Sequence, residues 1–415
     1  MATLTNWAGN ITFSTDRLHL PATVEQLSEL VAASDRVRCL GTGHSFNRIA
    51  DTTDTLISIR DLPPVIEVDP DRATVRVSGG VRYGELTAVI EQHGLALANL
   101  GSLPHISVAG ACATGTHGSG DGNQVLAGSV TALTLVAADG QPRRLTRADP
   151  DFEGAVIGLG CLGVVTELTL ELVPSFEIYQ YVYDDLPLAA LLDNFDEITA
   201  AAYSVSLFTR WQADRIDQVW LKSTRAREAG AALHGARPAE QARHPVPGQD
   251  AGFATQQLGV VGRWQQRLPH FRLEFTPSNG DELQSEYFVG RGHARAAIEV
   301  VQAIAAKLDP VLQVAEIRTV AADELWLSPC YRTDRVALHF TWIADHGKVE
   351  PVVAELEARL RQFEAVPHWA KLFGHQPAEL ASLHPRLTDF AALAARHDPQ
   401  AKFGNDFTRR YGLTR

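Results

Sequence analysis

From Ser102 to Gly120 the chain reads Ser-Leu-Pro-His-Ile-Ser-Val-Ala-Gly-Ala-Cys-Ala-Thr-Gly-Thr-His-Gly-Ser-Gly, nineteen positions dominated by side chains too small to fill a core. A chain uses such a run where something must come close to its backbone. A flat ring system lying along the chain would need that. Ile106, Val108 and the histidines His105 and His117 argue against a disordered linker. The wider stretch Asn99 to Gly122 has the same texture, which no ordinary core element would use.

A second glycine-rich segment lies upstream. Val37 to Leu40 reads as a buried strand that runs into Gly41-Thr42-Gly43-His44-Ser45-Phe46-Asn47. Glycines after a strand let successive backbone N–H groups converge on an anion such as a pyrophosphate. The third glycine of a dinucleotide fingerprint is missing, which disfavours a nicotinamide dehydrogenase. A tight turn with a surface histidine would read the same way.

Around these segments the first 170 or so residues alternate short helices and strands. Thr23 and Gln26 have capping-box spacing ahead of the apolar stripe Val24, Leu27, Leu30 and Val31. Val65–Val68 and Thr74–Val77 flank a hairpin turn, and Glu85–His93 is a helix stopped by Gly94. Val130–Ala137 and Val164–Leu172 read as strands. Beyond residue 174 the texture changes to strand-like runs at Tyr203–Phe208, Gln218–Leu221, His270–Phe275, Leu283–Tyr287, Val311–Val320 and Val336–Ile343. Helices are expected at Ala294–Leu308 and Val352–Phe363, with a surface loop over Arg225–Gly252. The expected class is therefore α+β, with helices on one side of an antiparallel sheet.

Strand parity supplies the third constellation, because side chains at i and i+2 share a face. Glu316 and Arg318 fall on one face of their strand, with Ala315 and Ile317 on the other. His339 and Thr341 likewise oppose Leu338, Phe340 and Trp342. A solvated sheet face would give the same pattern. Downstream, His368-Trp369-Ala370-Lys371 adds another cation.

Composition excludes several classes. Of 415 residues, 37 are basic and 49 acidic, a formal net charge of -12, which argues against a nucleic-acid or anionic-membrane partner. Cys39, Cys112, Cys161 and Cys330 are scattered without metal-ligand spacing, so no metal is expected, and buried thiols in a cytoplasmic protein are. The start, Met1 to Trp7, has neither a basic nor an apolar region, so no signal peptide is expected. Nothing points to an obligate protein partner, and a monomer is compatible with the sequence.

Together these residues resemble the vanillyl-alcohol-oxidase superfamily of flavoproteins, and within it the bacterial alditol (xylitol) oxidases. The likeness runs from Asn6-Trp7-Ala8-Gly9-Asn10 to Asp398 through Asn405. It rests on the joint presence of Gly-x-Gly-His-Ser, Ser-Leu-Pro-His-Ile-Ser-Val-Ala-Gly, Thr-Gly-Thr-His-Gly, Glu-Ile-Arg-Thr-Val and His-Trp-Ala-Lys. The resemblance implies a two-part FAD-binding domain, residues 1–173 completed by 376–415, with a substrate domain inserted at 174–375. It implies that His44 carries the isoalloxazine 8α-methyl covalently. It implies a flavin lining of Gly41, Thr42, Gly43, Ser45, Phe46, Asn47, Ser102, Ser107, Gly110, Thr114, Gly115, Thr116, His117 and Val165. Ser102, Glu316, Arg318, Thr341 and Lys371 would surround the substrate, with His339 beside them.

The implied reaction is oxidation of the terminal carbinol of a polyol such as xylitol or sorbitol, by hydride transfer to flavin N5. The products are an aldose and, from oxygen, hydrogen peroxide. Arg318 and Lys371 suit the stabilisation of a developing alkoxide, and His339 is the candidate proton relay. Cys112 departs from the motif, where relatives carry an aliphatic residue; it invites comparison with cysteinyl flavin attachment but reads as a small buried residue. Two alternatives are an aldonolactone oxidase or dehydrogenase of the same superfamily, and a flavin- or sugar-binding protein without turnover.

Overall fold

Alternating helices and strands in the first half build a three-stranded and a five-stranded sheet, beside the two-stranded pairing of Leu95–Ala96 with Val173–Pro174. The computed structural model describes residues 4–228, 230–274 and 281–415. Strands Leu18–His19, Thr55–Ile57 and Val37–Cys39 pair in parallel, and the last leads straight into the Gly41–Asn47 turn. The helix Val24–Ala33 starts at Thr23, whose hydroxyl accepts from Gln26 N at 3.2 Å. The Gln26 side chain reaches back to Ala22 N instead of Thr23, so the capping box is incomplete.

The hairpin expected around residue 70 forms as Ile66–Asp69 and Thr74–Ser78. It joins an antiparallel sheet ordered Ile66–Asp69, Thr74–Ser78, Val164–Glu171, Val130–Val136 and Pro142–Thr146. The last strand was not expected, because Pro-Arg-Arg-Leu-Thr carries no apolar alternation; as an edge strand it needs none. Within the small-residue stretch, Val108–Ala113 is a short helix rather than irregular chain. Its Val108, Ala111 and Cys112 are buried, and smallness lets the helix sit against the five-stranded sheet.

The second half forms one large antiparallel sheet in the order Arg237–Pro238, Glu177–Pro187, Arg215–Ser223, Ser204–Thr209, Leu312–Val320, Arg335–Ile343, Glu282–Gly290 and Val366–Pro367. One face of this sheet is apolar. Leu283, Tyr287, Ile317, Leu338, Phe340 and Trp342 pack there against Ile298 and Val301 of the helix Ala294–Gln302 and Val349, Val353 and Leu356 of the helix His346–Leu360. The helix expected over Ala294–Leu308 breaks after Gln302 and resumes at Ala305.

The strand expected at His270–Phe275 does not form. Phe271 makes only an isolated bridge to Ala254, and Phe275 lies outside the described residues. The backbone N–H groups of His270 and Phe271 both donate to the Ser102 carbonyl, at 3.1 and 3.3 Å, which draws this segment away from the sheet and over the small-residue run.

The C-terminal tail closes on the first half through buried polar side chains. Lys402 donates to the carbonyls of Val31 at 2.7 Å and Ala138 at 2.9 Å, and Asn405 donates to those of Arg48, Ile49 and Asp51. Buried donors of this kind are stable only with every partner present, so the tail has one seat. Among the described residues no helix is long and apolar enough to cross a membrane.

Candidate active site

The polar face of the large sheet and the two glycine-rich segments enclose one cavity of ≈ 1070 Å³. Of the residues singled out in the sequence, Gly41, Thr42, Gly43, His44, Ser45, Phe46, Asn47, Ser102, Ser107, Gly110, Thr114, Thr116, His117, Val165, Glu316, Arg318, His339, Thr341 and Lys371 stand on its wall. Gly115 does not. It sits behind the wall at φ 71° with Pro329 3.1 Å from where a Cβ would be, so its role is the turn that ends the short helix.

The turn and the cation-bearing segment are fastened together. Phe46 N donates to Ala370 O at 2.7 Å, and Asn47 Nδ2 donates to the carbonyls of Trp369 and Lys371, each at 2.8 Å. This is how Lys371 comes to share a cavity with His44. The two glycine-rich segments also touch. A Cβ on Gly41 would lie 2.6 Å from Ser107 Oγ, so a side chain there would have to turn the serine hydroxyl aside.

His44 stacks on Trp7 with ring centroids 4.8 Å apart and planes 18° from parallel. Burial, reinforced by Arg82 and His105 and only partly offset by the Thr42 backbone, brings its imidazole down to about 4. The ring is therefore neutral near pH 7, and its buried Nδ1 lacks a well-formed hydrogen bond. A neutral imidazole with an available nitrogen, beside glycines that leave no room for side chains, fits a flavin in this cavity. Cys112 also touches the cavity, but it is buried against the Tyr83 hydroxyl, and burial pushes its thiol up to about 12. That thiol is inert.

Strand register brings the polar pairs together. Glu316 stands opposite His339, and Val314 opposite Thr341. Both pairs face the cavity, not solvent: Glu316 is 4% and Arg318 5% exposed. At their centre lies Glu286, which sequence reasoning missed. It stands opposite His339 on the other neighbouring strand and accepts from Arg318 at 2.5 Å and Lys371 at 2.7 Å, with His117 Nε2 3.2 Å away. Burial alone would push the Glu286 carboxyl up, but Lys371, Arg318 and His117 hold it well below the usual carboxylate range. Parity within Leu283–Tyr287 places Gln284 and Glu286 on one face, so the signal is present in the sequence.

Two lysine–histidine pairs complete the site. Lys371 Nζ donates to His339 Nδ1 at 2.8 Å, so His339 carries its proton on Nε2 and donates to Thr341 Oγ1 at 3.1 Å. Burial, and then Lys371, hold His339 well below its ordinary value, so it is neutral. Lys222 similarly meets His270 Nδ1 at 3.0 Å, and His270 Nε2 lies 2.8 Å from Glu316 Oε1. Neither Lys222 nor His270 was anticipated as a site residue. Burial would raise the Glu316 carboxyl, but Arg318 and His270 hold it below the carboxylate range. The cavity thus presents ionised carboxylates, two buried cations and neutral imidazoles.

Comparison with known proteins identifies the family of the chain. Residues 15–146 match the FAD binding domain family and residues 280–411 the D-arabinono-1,4-lactone oxidase family. The chain is 52% identical to an alditol oxidase of a Streptomyces species, over 98% of both chains. It is 28% identical to an L-gulono-1,4-lactone dehydrogenase of Mycobacterium tuberculosis, again over 98% of both. The fold matches a solved cholesterol oxidase from B. sterolicum with a TM-score of 0.80 at 15% identity, covering 99% of this chain and 96% of that one. The chain belongs to the alditol oxidase family of FAD-binding flavoproteins, within the vanillyl-alcohol-oxidase superfamily.

Proposed function

We propose that the protein is an FAD-dependent alditol oxidase that converts the terminal carbinol of a small polyol and oxygen into an aldose and hydrogen peroxide. The observation that carries this reading is the Arg318–Glu286–Lys371 cluster facing a cavity continuous with the His44 turn, in a chain 52% identical to an alditol oxidase. When bound, FAD supplies the hydride acceptor and returns two electrons to oxygen.

The protein's residues supply binding, orientation and charge. His44 is the proposed tether, its neutral ring nitrogen the bonding atom, and the Gly41–Asn47 and Ser102–His117 segments are the lining. Glu316 and Ser102 accept hydroxyl protons of the polyol and set which carbinol is presented. Arg318 and Lys371 stabilise negative charge as the reacting hydroxyl loses its proton, and Glu286 keeps both cations aimed at the cavity. Lys371 hands one ammonium proton to His339 Nδ1 as it takes the hydroxyl proton, so Lys371 keeps its charge and His339 holds the proton. The division into a flavin part (1–173 with 376–415) and a substrate part (174–375) assigns the tether to one and the cations to the other.

An aldonolactone oxidase is the second reading, favoured by the match at residues 280–411. Oxygen uptake with xylitol against an aldonolactone decides between them. Faster turnover of the lactone would overturn the alditol reading, and bleaching of the flavin by neither would remove both.

A further inference from the structure

Lys222 is a buried cation that the reaction does not use directly. It lies on the strand Arg215–Ser223, is 1% exposed and is absent from the cavity wall. Its ammonium has three protons to donate and no lone pair. It meets three acceptors: the Leu268 carbonyl, the Pro269 carbonyl at 3.2 Å and His270 Nδ1 at 3.0 Å. Each proton therefore has one place to go, and His270 Nδ1 must be bare. The remaining imidazole proton sits on Nε2, 2.8 Å from Glu316 Oε1. Phe208 and Trp220 meet the ring edge-on, with centroids 5.3 and 5.4 Å away.

We propose that Lys222 and His270 are a positioning pair that fixes one imidazole tautomer and so keeps Glu316 an ionised acceptor facing the cavity. This rests on the reading that Glu316 receives a polyol hydroxyl. Without the ammonium, His270 could place its proton on Nδ1 and donate to the Leu268 or Pro269 carbonyl. Nε2 would then turn a lone pair on Glu316, which would be repelled or would take up a proton and become a donor. A substrate hydroxyl would lose its acceptor in either case. Burial brings Lys222 down to about 7 even though Glu316 raises it, so the ammonium depends on the Glu316 charge across the imidazole.

The test uses variants that separate the tautomer from packing, read by anaerobic flavin reduction with xylitol. His270→Gln keeps an amide N–H near the Nε2 position, whereas His270→Asn is too short to reach Glu316. Lys222→Met and His270→Asn are expected to raise the apparent Kd for xylitol about 10-fold or more, the effect of losing a hydrogen bond to a buried charge. His270→Gln is expected to stay closer to wild type, and adding Lys222→Met to it should cost less than about 2-fold further. Equal damage from Gln and Asn, or a full additional loss in the double variant, would overturn the pair and leave Lys222 a packing residue. Histidine-selective isotope labelling, with the His270 signal assigned by its loss in His270→Gln, reads the tautomer without substrate. A wild-type Nδ1–H ring overturns the proposal even if xylitol is turned over. An Nε2–H ring with no xylitol reduction supports the pair and faults the polyol reading alone.

Discussion

Glu286 and Lys371 meet as an ion pair at 2.7 Å although they stand 85 positions apart, and the carboxylate is wholly buried. The same carboxylate binds Arg318, so one anion holds two cations at the cavity wall. Replacing Glu286 with Gln would leave Lys371 buried without its ion-pair partner and Arg318 with only Glu316, 3.6 Å away. Breaking a buried pair in this way costs roughly 3–5 kcal/mol. Denaturant unfolding should show a loss of that order together with slower flavin reduction; unchanged stability would mean that the pairs are solvated in solution.

Arg318→Met and Lys371→Met each leave Glu286 one cation, so the fold and the flavin should survive. Each should slow flavin reduction by a polyol by about 100-fold or more, on the scale of losing one oxyanion donor. Anaerobic stopped-flow isolates this step from the reaction with oxygen. Near-normal rates in both variants would place the chemistry elsewhere.

The flavin should stay with acid-precipitated protein, and His44→Ala should release it. Cys112→Ser should leave the attachment unchanged, because the thiol is pushed up to about 12 and cannot ionise near neutrality. A peptide mass with flavin on Cys112, or a colourless wild-type pellet, would contradict this.

Stability should fall as pH drops below about 6.5. Burial brings His384 down to about 3 and His270 to about 4, whereas the unfolded chain protonates its histidines near 6.5. The native state therefore refuses protons that the unfolded state takes up. The stabilisation is complete above the unfolded value and is lost as pH falls toward the folded one. For His384, stacked on Trp369 at 4.6 Å, the loss by pH 4.5 is about 2–3 kcal/mol. His384→Phe should keep the stack and flatten the slope measured by denaturant unfolding between pH 7.5 and 4.5. A slope identical to wild type would show that His384 titrates normally.

Removing hydroxyls from the polyol should lower the specificity constant stepwise, by roughly 1–3 kcal/mol for each acceptor or donor left unpaired. A simple monoalcohol that equals xylitol would contradict a site built around Glu316, Thr341 and Ser102.

What the amino-acid order alone determined was local. Alternation placed Glu316 with Arg318 and His339 with Thr341, and smallness marked Gly41–Asn47 and Ser102–Gly120 as segments of close approach, because side-chain direction and backbone clearance depend on immediate neighbours. Whether those polar faces met solvent or a cavity was decided only by tertiary structure. Glu286 became the anion between Arg318 and Lys371 because strand Glu282–Gly290 pairs with Arg335–Ile343 and because Asn47 ties the Lys371 segment to the His44 turn. Lys222 reaches Glu316 only because His270 is pulled from the sheet toward Ser102. Charges are buried and paired by elements tens to hundreds of residues apart, and desolvation, which sets their ionisation, has no local signature in the chain.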